Sequence, residues 1–430
     1  MWKKNTILSR NQRILLKSVM KNGINKKAVV AMSGGVDSSV AAALLKRSGF
    51  DVAGVFIKFW KDGKSAENSC CSVESEKMAR LVAKKIGIPF YVINAEKEFK
   101  KKVVDYFLSE YKKGNTPNPC VVCNKEIKFG ILIEKALKMG ADYIATGHYA
   151  RISSLSLRGR SEATDEAIQS YRLPRRPYRI FDLRAPRNDI YFKLHKGKDK
   201  EKDQSYFLWQ LRQNQLKHVL FPVGNYTKPE VRELAEKFDL PSAETPESQE
   251  VCFVQNSTNE FLKKYLKTKP GKIIELKDVR HPAGRRTSPK AFGQHQGLHF
   301  YTIGQRKGLE IPQGPWYVVA KDFKNNNLIV SKDEKDLMQK ELIAKNVNWI
   351  SGKELKLPIK IEVKIRYRSN LADAVLYSKY TLNSAGAKIR VYKIVFDKPQ
   401  KAVTSGQSVV FYKGKELLGG GVIFYRVKRV

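Results

Sequence analysis

The sequence predicts an α/β protein with a doubly wound parallel sheet, followed by a small central α+β domain and a C-terminal β-barrel. Strand-like and helix-like segments alternate over the first half, as in parallel sheets covered by helices on both faces. Short strands with a two-residue alternation dominate the last quarter, which is typical of an all-β domain. The 430 residues are enough for roughly three domains, and the hydrophobic share of 42% allows packed cores.

The first half supplies the strands and helices of the parallel sheet in order. KKAVVAM is predicted as a short buried strand, SSVAAALLKRSG as a helix that ends at Gly49, and DVAGVFIKFW as a second strand. A helical pattern from Ser72 to Ile86 precedes the strand PFYVINA, and the helix EIKFGILIEKALKMG leads into the strand ADYIATGH. Ligands of such sheets bind at the carboxyl ends of the strands.

Changes in composition mark the expected domain boundaries. We expect, in order, a basic extension, the α/β domain, the central domain and the barrel at 1–27, 28–220, 221–312 and 313–430. An organellar transit peptide is the alternative interpretation of the extension. Two basic insertions, about 151–202 and about 277–295, interrupt the pattern as surface loops or hairpins, and we expect them to add phosphate contacts.

The charge balance favours a polyanionic partner. Lysine and arginine number 81 against 42 acidic residues, a formal net charge of +39, which suits nucleic acid, although a generally lysine-rich composition is the simpler alternative. Five cysteines are too few for a secreted disulfide framework, and no apolar run approaches the roughly 20 residues that span a bilayer. We therefore expect a cytoplasmic protein without a membrane partner.

The segment AMSGGVDSS lies between the first strand and the first helix. Its two glycines allow a tight turn whose N–H groups face an anion, and the helix that follows adds its positive end. There is no G-x-x-x-x-G-K-[ST], hence no lysine placed to hold β and γ phosphates. The segment resembles the S-G-G-x-D-S loop (PP-loop) of N-type ATP pyrophosphatases, which cut ATP between the α and β phosphates.

Further segments narrow this resemblance to one family. In this order they are similar to the bacterial tRNA-specific 2-thiouridylases: NTPNPCVVCNKEIKFG, ATGHYAR, KDQSYFLW, FPVGNYTKPEVRELA, VCFV, GQHQGLHFYTIGQRKGL, IRYR and TSGQSVVFY. The similarity runs from about Lys27 to the C-terminus, apart from the two insertions. It implies a PP-loop ATP pyrophosphatase domain, a central tRNA-binding domain and a barrel in a monomer. It also implies an enzyme that uses ATP and Mg²⁺ to convert the wobble uridine of tRNA to 2-thiouridine.

The resemblance assigns roles to single residues by position. Those that would hold ATP are Ala31, Met32, Ser33, Gly34, Gly35, Val36, Asp37, Ser38, Ile57 and Gly147. Those that would border the flipped target base are Asn118, Pro119 and Cys120. Those that would contact tRNA are His148, beside the catalytic pocket, and Lys202, Asp203, Gln204, Arg366, Tyr367 and Gln407.

Two cysteines would carry the chemistry. Cys123 matches the nucleophile of the family, and Cys252 matches the cysteine that receives a persulfide from a sulfur donor or relay protein. Attack of Cys123 on that persulfide would leave a Cys123–Cys252 disulfide, which a reductant must reopen. Lys125 and Lys128 can supply the positive setting that favours a thiolate, or they can simply form a solvated helix face.

Cys120 departs from the family pattern, in which an aspartate proposed as a general base is common at this position. Three interpretations stand: a [4Fe-4S] cluster on Cys120, Cys123 and Cys252, a zinc site with His148 as fourth ligand, or a spare thiol. The adjacent pair Cys70 and Cys71 is interpreted as structural or incidental, with a thiol activated by a helix start as the alternative.

Two other functions are compatible with parts of the sequence. Another PP-loop enzyme, including one that joins an amine to a carboxylate, would not need cysteines as far apart as Cys123 and Cys252. A non-catalytic RNA-binding protein would explain the charge, but not the intact SGGVDS segment together with both cysteines. The sequence does not identify the tRNA isoacceptors or the sulfur donor.

Overall fold

The computed structural model describes residues 26–63, 72–156, 190–246, 251–254, 257–276, 291–382 and 387–424. Most of the N-terminal extension, the Cys70–Cys71 pair and the greater parts of both insertions lie outside the described residues. None of the helices in the described ranges has the length and apolar character needed to cross a membrane.

A parallel sheet forms the first domain. Its five strands are β1 (Lys27–Ala31), β2 (Asp51–Lys58), β3 (Phe90–Asn94), β4 (Tyr143–Ala145) and β7 (Val219–Leu220). Between β4 and β7 in the chain, β5 (Ala150–Ser156) and β6 (Ile190–Lys196) form a hairpin that belongs to another sheet. The order β3-β2-β1-β4-β7, with every pair parallel, confirms the predicted doubly wound sheet. The chain direction across the sheet reverses between β1 and β4, and a crevice for a ligand forms at such a point.

Helices cover both faces of this sheet. They are α1 (Val36–Arg47), α2 (Val73–Ile86), α3 (residues 96–112), α4 (residues 119–138), α5 (Gln213–Leu216), α6 (Lys228–Lys237) and, in the segment that leads to the central domain, α7 (Thr258–Tyr265). Both α3 and α4 contain a π-helical stretch, Lys100–Val104 and Asn124–Ile131 respectively. The Ser72 side chain caps α2, and Gly87 ends it in the left-handed conformation (φ 65°), so that the helix matches the pattern predicted from Ser72 to Ile86.

The central domain has its own four-stranded sheet. Its strands are β8 (Gly271–Glu275), β9 (Ala291–His295), β10 (Tyr317–Asp322) and β11 (Asn327–Ser331), in the order β10-β11-β8-β9. The last two strands lie beyond residue 313, where we expected the barrel to start, yet β11 pairs in parallel with β8. The pairing therefore places residues 317–331 with the central domain.

A closed antiparallel barrel completes the described chain. Its strands are β12 (Met338–Trp349), β13 (Ile359–Lys364), β14 (Ala372–Leu382), β15 (Lys388–Lys401), β16 (Ser408–Lys413) and β17 (Glu416–Ile423). They follow the order β12-β15-β14-β13-β16-β17, and pairing of β17 with β12 closes the ring. The β5–β6 hairpin, at the two ends of the first insertion, extends the sheet at β17. The three-part architecture predicted from the sequence is thus confirmed.

All three domains meet at the loop that precedes α4. The Lys321 ammonium of β10 donates to the carbonyl of Gly114 at 2.9 Å, and the hydroxyls of Thr116 and Thr302 are hydrogen-bonded at 3.1 Å. From the barrel side, the carbonyl of Ser405 accepts a hydrogen bond from the Thr116 amide at 2.9 Å. The loop is consequently fixed from both sides before the cysteines of α4 begin.

The buried Lys321 side chain predicts a pH-dependent stability. Burial lowers its pKa from 10.5 to about 8, so that between these values the unfolded chain binds more protons than the folded protein. Stability contributed by this group should therefore rise from about pH 8 to pH 10.5, by about 3 kcal/mol at most. Urea unfolding across this range should show the rise in the wild type and its loss in Lys321→Met. Parallel curves for the two proteins would contradict the assignment.

Candidate active site

The candidate site lies at the crevice between β1 and β4. The loop of residues 32–35 follows β1, and Thr146, Gly147 and His148 follow β4. Ile57 lies near the end of the neighbouring strand β2 and is 8% exposed. The three segments assigned to ATP by resemblance are therefore brought to the same edge of the sheet.

The SGGVDS loop is held in one conformation by its own side chains. Gly34 has φ 80°, and a Cβ atom there would come within 2.4 Å of the Ser75 carbonyl oxygen. The Ser38 hydroxyl donates to the Gly35 carbonyl at 3.0 Å and accepts from the Ser33 amide at 3.2 Å. The loop is thus shaped for close approach of an anion to its backbone, at the start of α1.

Gly147 packs directly on the start of α1. A Cβ at this position would lie 2.6 Å from the Ser38 amide nitrogen and 2.7 Å from the Asp37 carbonyl carbon. We expect Gly147→Ala to displace the loop and to lower ATP-dependent activity by about a hundredfold, since misplacement of about 1 Å can have that effect. The loss of activity is measured as the rate of ATP–pyrophosphate exchange. Gly140→Ala is the control, because Gly140, although at φ 77°, has open space around a Cβ; equal losses in both variants would contradict the close-packing explanation.

Asp37 is fixed by two partners that the sequence analysis did not single out. The Tyr149 hydroxyl and the Lys228 ammonium each donate to Asp37 Oδ1 at 2.7 Å. The Lys228 side chain is only 9% exposed, and it projects from the first residue of α6. The loop contains no lysine of its own, so the chain supplies a buried cation to it from 191 residues away. The only local signal was the Thr-Lys-Pro-Glu helix start in FPVGNYTKPEVRELA.

The KDQ segment supports this arrangement from behind. The Gln204 side chain accepts from the Tyr149 amide at 3.0 Å, and the Gln204 amide donates to the Tyr149 carbonyl at 2.9 Å. Asp203 is 5% exposed and accepts from the Gly197 and Ser205 amides. The Lys202 amide donates to Asp199. In this structure Asp203 and Gln204 therefore order the turn that carries Tyr149.

The cysteines of the opening turn of α4 have different surroundings. The Asn118 side chain accepts from the Val121 amide at 3.4 Å, and Pro119 occupies the first helical turn, so that both favour a helix start here. Cys120 is exposed, whereas Cys123, one turn later, is 7% exposed. Of the two cysteines, only Cys123 faces the interior.

The two lysines after Cys123 also differ. Lys125 lies 3.4 Å from Glu126, as in the solvated-face interpretation. Burial lowers the pKa of His148 well below 6.5, and the positive charge of Lys128 lowers it further. Lys128 is therefore close enough to act on a residue of the site. His148 is consequently neutral near pH 7.

His148 lies under the site rather than on its surface. The imidazole is 8% exposed, shares a 2.7 Å hydrogen bond with the Thr146 hydroxyl, and packs against Phe129 and Phe221. Such an environment makes it a wall of the pocket.

Aromatic packing anchors the segment that carries Cys252. Cys252 is partly exposed, and its neighbour Phe253 makes edge contacts with Phe99, Phe107 and Phe261 at ring-centroid distances of 5.7, 5.2 and 5.5 Å. Phe99 and Phe107 belong to α3, which precedes the loop before α4. The anchored Phe253 thus ties the Cys252 segment to the α/β domain.

The described thiols do not form a metal site. In the part of the chain that the structure describes, no group of three or more His, Cys, Asp and Glu side chains is arranged to hold a metal ion. Cys120, Cys123 and Cys252, with or without His148, are thus not arranged as such a group among the described residues. Cys120, Cys123 and Cys252 also carry thiols rather than disulfide sulfurs.

The barrel residues assigned to tRNA hold the site together. The Gln407 side chain donates a hydrogen bond to the Thr116 carbonyl at 2.9 Å and so helps to hold the loop before α4. The Arg366 guanidinium donates to the Ala402 carbonyl and, at 3.2 Å, to a threonine hydroxyl of the same turn. Tyr367 lies against Phe207 with ring centroids 4.5 Å apart. The Gln407 and Tyr367 contacts join the barrel to the α/β domain, and the Arg366 contacts order a turn within the barrel domain.

Comparison with known proteins agrees with this geometry. The tRNA-specific 2-thiouridylase MnmA of Clostridioides difficile is 42% identical over 405 residues, which cover 93% of this chain and 98% of that protein. The chain belongs to the tRNA-specific 2-thiouridylase family. The 2-thiouridylase of Acetivibrio thermocellus is likewise 42% identical over 406 residues, or 93% of this chain and 99% of that one.

Family models divide this 2-thiouridylase family member into three parts. They are described as a tRNA methyl transferase HUP domain, a tRNA methyl transferase PRC-barrel domain and an aminomethyltransferase beta-barrel domain, matching residues 26–256, 259–332 and 339–423. Among solved structures, a 4-thiouridine synthetase–RNA complex with bound ATP aligns with a TM-score of 0.30 and 18% identity, covering 56% of this chain and 50% of that one. NMN synthetase from Francisella tularensis aligns with a TM-score of 0.30 and 16% identity, covering 58% and 78%.

Proposed function

We propose that this protein is an ATP-dependent tRNA 2-thiouridylase that acts on the wobble uridine. The observation that carries the proposal is that, in a member of this family, the SGGVDS loop with its buried Lys228 and the cysteine-bearing helix α4 both pack against residues 147–149. Gly147 and Tyr149 contact the loop at Asp37, and His148 between them contacts Phe129 of α4. The nucleotide loop activates the base, and the thiols deliver sulfur. The cytoplasm, where tRNA and reductants are available, is its expected location, and a monomer its expected state.

Activation precedes sulfur transfer, because the C2 oxygen of uracil is a poor leaving group. That oxygen attacks the α phosphate of ATP, and pyrophosphate leaves as AMP becomes attached to the base. The backbone amides of residues 33–38 hold the phosphates, and Lys228 balances the charge that develops on the departing pyrophosphate. Mg²⁺ bound together with the nucleotide would neutralise part of the phosphate charge, and it would not require a preformed protein cage.

Sulfur then replaces the AMP through the two cysteines. A sulfur donor places a persulfide on Cys252, and its terminal sulfur attacks C2 while AMP leaves. The Cys123 thiolate attacks the Cys252 sulfur, breaks the sulfur–sulfur bond and leaves the thiocarbonyl on the base. Alternatively, Cys123 attacks first and releases the sulfide that substitutes at C2. Both routes form a Cys123–Cys252 disulfide, and a two-electron reductant restores the thiols.

Nucleoside mass spectrometry tests the proposal. Bulk tRNA is incubated with the protein, ATP, magnesium and a persulfide donor, then digested and analysed. We expect 2-thiouridine to form only when ATP is present, with stoichiometric AMP and pyrophosphate. Absence of thiolated nucleoside together with absence of tRNA-dependent ATP–pyrophosphate exchange would refute it.

A further inference from the structure

The barrel carries a two-stranded extension, which we call the β-arm: residues 377–382 of β14 and 388–391 of β15. Pairing of β14 with β13 ends at Leu376, and β12 pairs with β15 only from Tyr392 onward, as far as the described strands show. Within the β-arm the two strands pair with each other, Tyr380 opposite Arg390. The β-arm thus projects beyond the barrel wall, and most of its residues are exposed, whereas Val391 at its base is buried.

Cations and aromatic rings share the β-arm surface. The Lys388 ammonium lies 4.7 Å from the centroid of the Tyr380 ring, and the Arg390 guanidinium lies 5.9 Å from the same centroid. Arg390 is held by Ser378 at 3.0 Å and Glu354 at 2.5 Å. The rings and cations therefore have fixed relative positions.

The exposed apolar surface of the β-arm is unusually large for a ribbon in water. Tyr380 is 52% exposed, Leu382 61% and Tyr377 40%. A two-stranded hairpin is marginally stable on its own, and exposed apolar strand residues favour aggregation, so such a surface indicates a binding function.

The charge of the β-arm points to a polyanion. No acidic residue occurs between Asp373 and Asp397, and the β-arm within this stretch carries Lys379, Lys388 and Arg390. Clustered Lys and Arg side chains bind nucleic-acid phosphates, and exposed tyrosine rings offer stacking surfaces for bases or riboses. Charge complementarity therefore selects RNA, in a protein with a formal net charge of +39.

The position of the β-arm decides which part of an RNA it can reach. Strand β14 begins shortly after Tyr367, and β15 ends next to Ala402, whose carbonyl binds Arg366 of the candidate site. Tyr380 lies eight residues along β14 from Ala372, about 26 Å away at 3.3 Å per residue. An RNA held at both places must extend over that distance.

We propose that the β-arm binds the sugar–phosphate backbone of the tRNA body, outside the anticodon stem-loop that enters the site. This inference rests on the proposed function, since it assigns a second contact region to the same substrate. The β-arm would then make affinity depend on the whole tRNA, while the chemistry depends on the loop.

Charge reversal tests this assignment. Lys379→Glu/Lys388→Glu is compared with Lys413→Glu/Lys415→Glu, which makes the same charge change at exposed positions of another hairpin at the same end of the barrel. Binding of full-length tRNA and of an isolated anticodon stem-loop is measured over a range of salt concentrations. We expect the β-arm variant to bind full-length tRNA about tenfold more weakly, with a salt slope reduced by roughly 2. Stem-loop binding and thiolation should match the control.

Each other outcome is decisive. Equal tRNA affinity of the β-arm variant and the control would overturn the inference, as would an equal loss for both RNAs. Lys379→Gln/Lys388→Gln removes the charges without introducing repulsion, and it replaces the reversal variant if that protein fails to fold. If the wild type thiolates no RNA, the proposed function fails, whereas the binding comparison still tests the β-arm.

Discussion

Replacement of Cys123 by serine is expected to abolish thiolation, with a loss of at least about a thousandfold, while ATP–pyrophosphate exchange with tRNA persists. A serine hydroxyl fits the space of this 7% exposed side chain, so the fold is retained. It is a far weaker nucleophile than a thiolate at neutral pH, and the sulfur–sulfur bond of a persulfide remains intact. Nucleoside mass spectrometry measures the first activity, and labelled pyrophosphate measures the second.

Cys120→Ser is the matched control for this experiment. Both cysteines lie near the start of α4, about one turn apart, but Cys120 is exposed and Cys123 buried. We expect the control to thiolate tRNA at nearly the wild-type rate. An equal loss in both variants would show that Cys120 is required, and iron and sulfide analysis of anaerobically purified protein would then decide whether a cluster is the reason.

The order of elements in the first domain could be predicted from the sequence, because it depends on local patterns. The SGGVDS loop, the cap at Ser72 and the terminator at Gly87 each rest on residues within one turn of the element they shape. The C-terminal β-barrel was predicted from short strand segments whose residues alternate with a two-residue period. Such features depend on short-range sterics and hydrogen bonding, which a single sequence displays directly.

Contacts between distant segments could not be predicted in this way. Gln407 donates a hydrogen bond to the carbonyl of Thr116, 291 residues away in the sequence. Strand β11 pairs with β8, although we expected a domain boundary between them, at residue 313. Several residues predicted to touch tRNA also hold parts of the protein together in this structure, among them Asp203 and Arg366. A polar side chain near a site has the same sequence signature whether it binds substrate or orders a turn.

Lys228→Met is expected to lower ATP–pyrophosphate exchange by about 10²- to 10³-fold, the usual effect of removing one preorganised electrostatic contact. The ammonium reaches Asp37 Oδ1 at 2.7 Å with a side chain that is 9% exposed. A cation in this position stabilises the negative charge that develops on pyrophosphate. The SGGVDS loop has no lysine of its own to do so. Exchange rates at saturating and at low ATP separate a loss of turnover from a loss of binding.

Lys198→Met serves as the control, because Lys198 pairs with Glu230 of α6 at 2.6 Å but is 46% exposed, and such surface pairs contribute little. The double variant Asp37→Asn/Lys228→Met then separates two roles of the lysine. Because Asp37 is itself assigned to ATP, the double variant is compared with Asp37→Asn alone. If Lys228 merely neutralises Asp37, the two variants exchange pyrophosphate at the same rate. If it acts on the phosphates, exchange is lower still in the double variant, and we expect this second result because the lysine lies at the loop that binds the nucleotide.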